Sequence, residues 1–239
     1  MQPLFTLAEN TPMPKRIRTS FVFLFVCAFL MTGLAPAQAA SDQQELVDKS
    51  KYTIERMLKD ELFSKVPEYM ARAKAILIVP SLFKAGFFFG GEGGNGVLLT
   101  KNTDGTWSYP AFYTLGGASF GLQFGAQDAE VLLVILTDKG LDSTLRTEMK
   151  LGADASLAVG PVGAGIEGAT TTSFGADIVS FSRATGLFGG VSGEGTVIYG
   201  RDSWNQLYYG EGTTARKILI ERSVHNAGAD ALRQAVAGK

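Results

Sequence analysis

Two stretches of this chain, one hundred positions apart, carry nearly the same glycine-punctuated pattern. The first runs from Gly86 through Phe88, Gly90, Gly93 and Val97. The second runs from Gly186 through Phe188, Gly190, Gly193 and Val197, without a gap. The register continues through Lys101/Arg201 and Tyr109/Tyr209. Apolar residues alternating with glycine read as strands, and glycine inside a strand marks a bulge, a bend or a close backbone approach. A chain that builds such an element twice is expected to form a curved or closed sheet. Gly93 and Gly193 are expected at equivalent bends, with left-handed backbone among these glycines.

The first 39 residues read as a secretory signal. Lys15, Arg16 and Arg18 precede an uncharged run, Phe21 to Leu34, and Ala37-Gln38-Ala39 is a small-x-small cleavage site. The run of about 14 residues falls short of the roughly 20 that span a bilayer. The only cysteine, Cys27, lies within it, so the trimmed chain carries no thiol or disulfide chemistry. Residues 40–239 are expected to form one domain, exported to a bacterial periplasm or envelope.

Taking Lys15, Arg16, Arg18 and Glu9 from 22 basic and 23 acidic residues leaves a net charge of −3. That balance argues against nucleic acid as a partner. Any anionic partner must be met by a local cluster. The single histidine, His225, excludes multi-histidine metal sites, and without cysteine there is no thiolate zinc site. No cofactor is expected.

Along the chain, Ser41 is a capping residue for a charged amphipathic helix in which Val47, Ile54 and Leu58 recur at helical spacing. A second short helix starts at Pro67-Glu68. Ala75–Pro80 is a β-rich apolar run closed by proline. Strands dominate from there to about Gly210, with a turn at Asn102–Gly105, a short helix over Leu141–Met149 and a last strand at Gln206–Gly210. Helices are expected over Thr214–Val224 and Ala227–Ala237.

These residues resemble the SYLF domain over about residues 70–220. The resemblance is carried by Ala73-Lys74-Ala75-Ile76, Lys84-Ala85-Gly86-Phe87, Asp104-Gly105-Thr106-Trp107-Ser108-Tyr109-Pro110, Gly121-Leu122-Gln123-Phe124-Gly125 and Ser182-Arg183-Ala184-Thr185-Gly186-Leu187-Phe188-Gly189-Gly190. It implies a lipid-binding domain, described as actin-binding in fungal members, that takes phosphoinositides or other anionic lipids through the segment before the sheet. The chain departs from eukaryotic relatives at Glu92, where they carry a basic residue, and shows no SH3 module. A periplasmic protein would not meet actin, so actin is not expected as a partner.

Three motifs suggest chemistry. Gly91–Gly96 satisfies G-x-G-x-x-G, but a strand pattern follows it where a dinucleotide site needs a helix. Gly117-Ala118-Ser119-Phe120-Gly121 satisfies G-x-S-x-G, and a Ser119–His225 hydrolase is the enzymatic alternative. Asp128, Glu130, Asp138 and Asp142 read as solvated strand ends and a helix start.

The remaining cluster is basic and aromatic. Lys65, Arg72, Lys74 and Lys84 belong to a basic set upstream of the aromatic run with Phe83, Phe87 and Phe89, a combination that suits charge at headgroup level with apolar insertion below. Lys49, Lys51, Arg56 and Lys59 precede them. The expected fold is α+β: N-terminal helices on a strongly bent, mostly antiparallel sheet or barrel, with helices at the C-terminus. The expected function is non-catalytic binding of anionic phospholipid. The alternative is a periplasmic structural or protein-interaction role with an unknown partner.

Overall fold

The computed structural model describes residues 41–86, 89–120, 125–160, 175–185 and 196–238. The signal-like segment, Phe87, and Gly186, Gly190 and Gly193 of the second glycine stretch lie outside them.

The architecture is α+β. Among the described residues, eight strands form one strongly curled half-barrel sheet in the order β5-β8-β3-β2-β1-β4-β7-β6. They are β1 (Ala75–Gly86), β2 (Phe89–Thr100), β3 (Ala111–Phe120), β4 (Gly125–Ile135), β5 (Glu148–Lys150), β6 (Leu157–Val159), β7 (Ile178–Thr185) and β8 (Thr196–Gly200). The described strand pairings are antiparallel except β6 with β7.

β1 is central and covered on both faces, which is why its first half is a continuous apolar run rather than an alternating one. Ile76 and Ile78 face one core with Val97, Phe112, Leu132 and Phe181. Leu77 and Val79 face the other with Leu98, Leu115, Leu133 and Ile198. The helices α1 (Asp42–Lys59), α2 (Val66–Arg72) and α5 (Asp230–Val236) cover the first face. Met149, Ile218 and Leu219 close the second.

Local signals set the ends of these elements. Ser41 caps α1 by accepting the Gln44 amide at 3.3 Å, with Asp42 and Glu45 in the first turn and Arg56 and Lys59 in the last. Thr137 caps α3 (Asp138–Thr144) in the same way. Pro80 does not end β1. The strand continues to Gly86 through an irregularity between Val79 and Leu82, a place where a residue without an N–H is tolerated. Opposite that bulge a Cβ on Gly94 would stand 2.4 Å from the Ser81 carbonyl oxygen, and one on Gly96 would stand 2.6 Å from that of Ile78. The bend therefore falls at Gly94 and Gly96.

Gly93 corrects the expectation of left-handed backbone. It lies in regular register between Phe83 and Gly116, and Gly105, Gly152, Gly175, Gly210, Gly212 and Gly238 are the described glycines with positive φ. Gly86 and Gly90 pair with each other where β1 and β2 approach their connection.

Gln206–Gly210, read as a strand, is instead the last turn of helix α4 (Asp202–Tyr209) and its C-cap, Gly210. Helical spacing lets Trp204 and Tyr208 both meet the Phe112 ring, at 5.9 and 5.2 Å, while Asn205 accepts the Phe112 amide at 2.9 Å. The helix expected at Leu141–Met149 starts earlier, and Glu148–Lys150 is strand β5. Thr214–Val224 contains a π-helical turn, Lys217–Glu221, ended by Arg222 at φ 52°.

Candidate functional site

β1 divides the sequence-predicted residues into two groups. Lys65 and Arg72 belong to the α2 segment and Lys74 directly precedes β1, whereas Phe83 and Lys84 lie near its far end. Nine residues of strand at about 3.3 Å each put Phe83 about 30 Å from Lys74. At the near end Lys65 pairs with Glu68 at 3.3 Å and Lys74 with Asp138 at 2.7 Å. The Arg72 guanidinium sits 5.0 Å from the Tyr69 ring centre. The fold does not gather these cations around the aromatic run.

Lys84 is the clearest correction. Alternation turns it away from Phe83, and its side chain is 9% exposed, held 2.5 Å from Glu92. Glu92 also accepts the Thr196 hydroxyl. A lysine neutralised and enclosed in this way does not face a headgroup. Phe89 opens β2 opposite Phe120.

Phe83 itself is 54% exposed, an unusual position for a phenylalanine on a central strand. Its register row reads Asp128, Phe83, Gly93, Gly116, Val197 across β4, β1, β2, β3 and β8. A Cβ on Gly93 would meet nothing closer than 3.9 Å, and one on Gly116 nothing within 4 Å. The ring therefore stands beside positions with no side chain.

The cations that the fold does bring to this face come from α1 and β7. Glu130, two residues beyond Asp128 on the same face, is ion-paired to Arg56 of α1 and lies 3.7 Å from Arg183 of β7. The Thr53 hydroxyl donates to Glu130 at 3.0 Å, so α1 crosses the sheet just beside the Phe83 row. Arg183 was absent from the sequence-derived set, because only the strand register reveals its neighbours. Ser81 on the bulge donates to Asp128 at 2.7 Å.

Between the N-terminal half of α1, the β1 bulge and α4 lies an open cleft of about 380 Å³, lined by Glu45, Lys49, Ser81, Gly93, Asn95 and Trp204 among others. Tyr208 holds α1 in place here by donating to the Gln44 side-chain oxygen at 2.7 Å. Burial, then the charges of Asp48 and Asp230, push the Tyr208 phenol up to about 12, so it stays a donor at any ordinary pH.

The enzymatic alternatives find no support in the geometry. Gly91–Gly96 lies wholly inside β2, with no helix after it. Ser119 is a strand residue opposite Gly90, not an elbow. His225 packs 5.0 Å from the Tyr109 ring, before the start of β3, and β3 then runs about 25 Å, at about 3.3 Å per residue, before reaching Ser119. Among the described residues no group of three or more His, Cys, Asp or Glu side chains could hold a metal ion.

The amino-acid sequence matches a known family. The family model Ysc84, described as "Las17-binding protein actin regulator", matches residues 116–239. The chain belongs to the Ysc84, or SYLF-domain, family. It is 35% identical over 159 residues to LAS seventeen-binding protein 3 of Saccharomyces cerevisiae, covering 65% of this chain and 34% of that protein. It is 33% identical over 171 residues to protein YSC84 of the same yeast, covering 70% of this chain and 36% of that one. The human SH3 domain-containing YSC84-like protein 1 is 29% identical over 164 residues, covering 68% and 48%. The chain thus spans between about a third and a half of these relatives' length.

Proposed function

We propose that this SYLF domain binds anionic phospholipid at a membrane surface, without catalysing a reaction, in a bacterial envelope to which residues 1–39 direct it. The observation that carries the reading is Phe83: a large apolar ring, 54% exposed, beside a row of glycines, on the sheet face where Arg56 of α1 and Arg183 of β7 meet Glu130. Apolar insertion beside cations is the chemistry of a surface-bound protein. Each cation near an anionic surface contributes about 1 kcal/mol, and a net charge of −3 leaves no bulk attraction to substitute for them.

Co-sedimentation with phosphatidylglycerol vesicles tests this. Phe83→Ser is expected to weaken binding about tenfold, consistent with the roughly 1.5–3 kcal/mol of burying a large apolar side chain. The triple variant Lys65→Glu, Arg72→Glu, Lys74→Glu, which replaces cations about 30 Å away along the strand, is expected to keep most of its binding. Wild-type protein that stays in the supernatant would overturn the reading. A second reading, protein recognition by the same face, draws on the relatives named for Las17 binding. The expectation against actin rests on export and on the departure from eukaryotic relatives at Glu92.

A further inference from the structure

The segment that closes the second core, residues 213–221, has left-handed backbone at both ends. Gly210 at φ 110° and Gly212 at φ 71° precede it, and Arg222 at φ 52° ends it. Arg222 is the only described residue other than glycine with a positive φ, so this end of the segment is strained. Between the two ends lies the π-helical turn Lys217–Glu221, a rare form that is frequent at functional sites.

The segment is fastened at few points. Among the described residues, side chains of the body reach its backbone twice. Asp202 accepts the Ala215 amide at 3.2 Å, and the Thr100 hydroxyl donates to the Leu219 carbonyl at 2.6 Å. Arg222 returns to the same Thr100, donating to its carbonyl at 3.4 Å and to its hydroxyl at 3.5 Å. The Lys217 ammonium bonds the Gly212 carbonyl and the Ser223 amide bonds the Lys217 carbonyl, so these bonds shape the segment without tying it down.

Beneath it, Ile218 and Leu219 are buried in one core with Leu98, Tyr113, Leu115 and Ile198. Tyr113 is 1% exposed, and its hydroxyl donates to no described residue. Burial, then the charge of Asp202, push its phenol up, so it keeps its proton. A buried donor without an acceptor is uncommon.

We infer that residues 213–221 are a strap that swings out on its glycine hinges and admits one acyl chain to the second core. The inference takes its ligand class from the membrane-binding reading above, but the site lies on the face of β1 opposite Phe83. Ile218 and Leu219 together withdraw about eight side-chain carbons, and a flexible aliphatic chain replaces them at native packing density. The carboxyl or ester oxygen of that chain supplies the acceptor that Tyr113 lacks. A polar ligand would be desolvated among aliphatic side chains with little to pair with. Release also relieves the strain at Arg222, which offsets part of the cost of opening.

Decanoate and the intact chain test this. Decanoate is expected to give intermolecular NOEs to the Leu115 and Ile198 methyl groups, and to speed hydrogen exchange at the Leu219 and Ser223 amides. Thr100→Val removes a fastening, and Gly212→Ala strains a hinge in the closed position. Each is expected to tighten decanoate binding roughly fivefold, because the open form becomes more populated. NOEs confined to Phe83 and Val197, or an affinity unchanged in both variants, overturns the strap. The wild-type NOEs alone decide it if a variant fails to fold. Co-sedimentation with phosphatidylglycerol vesicles runs in parallel. Protein that sediments without the second-core NOEs loses only the strap. Protein that gives those NOEs but stays in the supernatant loses only the membrane-surface reading.

Discussion

Lys84 and Glu92 meet 2.5 Å apart across the β1–β2 register, and Glu92 also takes the hydroxyl of Thr196 from two strands away. The residue between them in that row is Gly117 of β3, which has no side chain to interrupt the reach. Three strands on the curled side of the sheet are thereby tied by one carboxylate.

Removing one member of this pair should therefore cost more than removing both. Lys84→Met leaves Glu92 enclosed and unneutralised, at about 3 kcal/mol or more. The double variant Lys84→Met, Glu92→Met should recover most of that loss, since an apolar replacement of a buried pair is often neutral. Urea unfolding of wild type, Lys84→Met, Glu92→Met and the double variant measures it; additive losses would show that the pair is not coupled.

The glycines of β2 should divide sharply. Gly96→Ala and Gly94→Ala drive a Cβ into backbone carbonyls 2.6 and 2.4 Å away and should lower stability by several kcal/mol, or prevent folding. Gly93→Ala and Gly116→Ala meet open space and should change it by less than about 1 kcal/mol. Thermal unfolding separates the two pairs.

Asp177 makes the fold sensitive to acid. The Thr137 hydroxyl, the largest influence, and then the Ser156 amide and hydroxyl and the Lys139 ammonium hold its carboxyl well below the usual carboxylate range, against the opposing effect of desolvation. Its folded value lies below the unfolded one, so its contribution is present above about pH 4 and is lost as pH falls further. Asp177→Asn should cost about 2 kcal/mol at pH 7. The gap from wild type should narrow steadily as pH falls below about 4, measured by denaturant midpoints across the acid range.

Much of this fold was legible in the sequence. The cap at Ser41, the turn at Gly105 and the apolar run of β1 are local signals, and each is where the residues place it. The helix at Asp202–Tyr209 was not legible, because its aromatic residues suit a strand until Phe112 is known to lie beneath them. The site was half legible. Phe83 could be named from its surroundings in sequence, but residues close in sequence on an extended strand are far apart in space. Lys74 and Phe83 were grouped by proximity that β geometry removes. Lys84 is two-sided information: alternation turns it inward, and Glu92 is its partner only once the β1–β2 register is known. Arg183 joins the site through pairing with Glu130, a relation invisible in the sequence.

The central claim is that the Phe83 end of the sheet, not the α2 end, enters the membrane. The most direct measurement attaches a nitroxide at Phe83→Cys in a Cys27→Ser chain, and separately at Lys65→Cys, and records collision with oxygen and with a water-soluble nickel complex. On adding phosphatidylglycerol vesicles, the label at position 83 should gain oxygen and lose nickel accessibility, while the label at position 65 keeps its aqueous values. Burial of the label at 65 with an unchanged label at 83 would contradict the account.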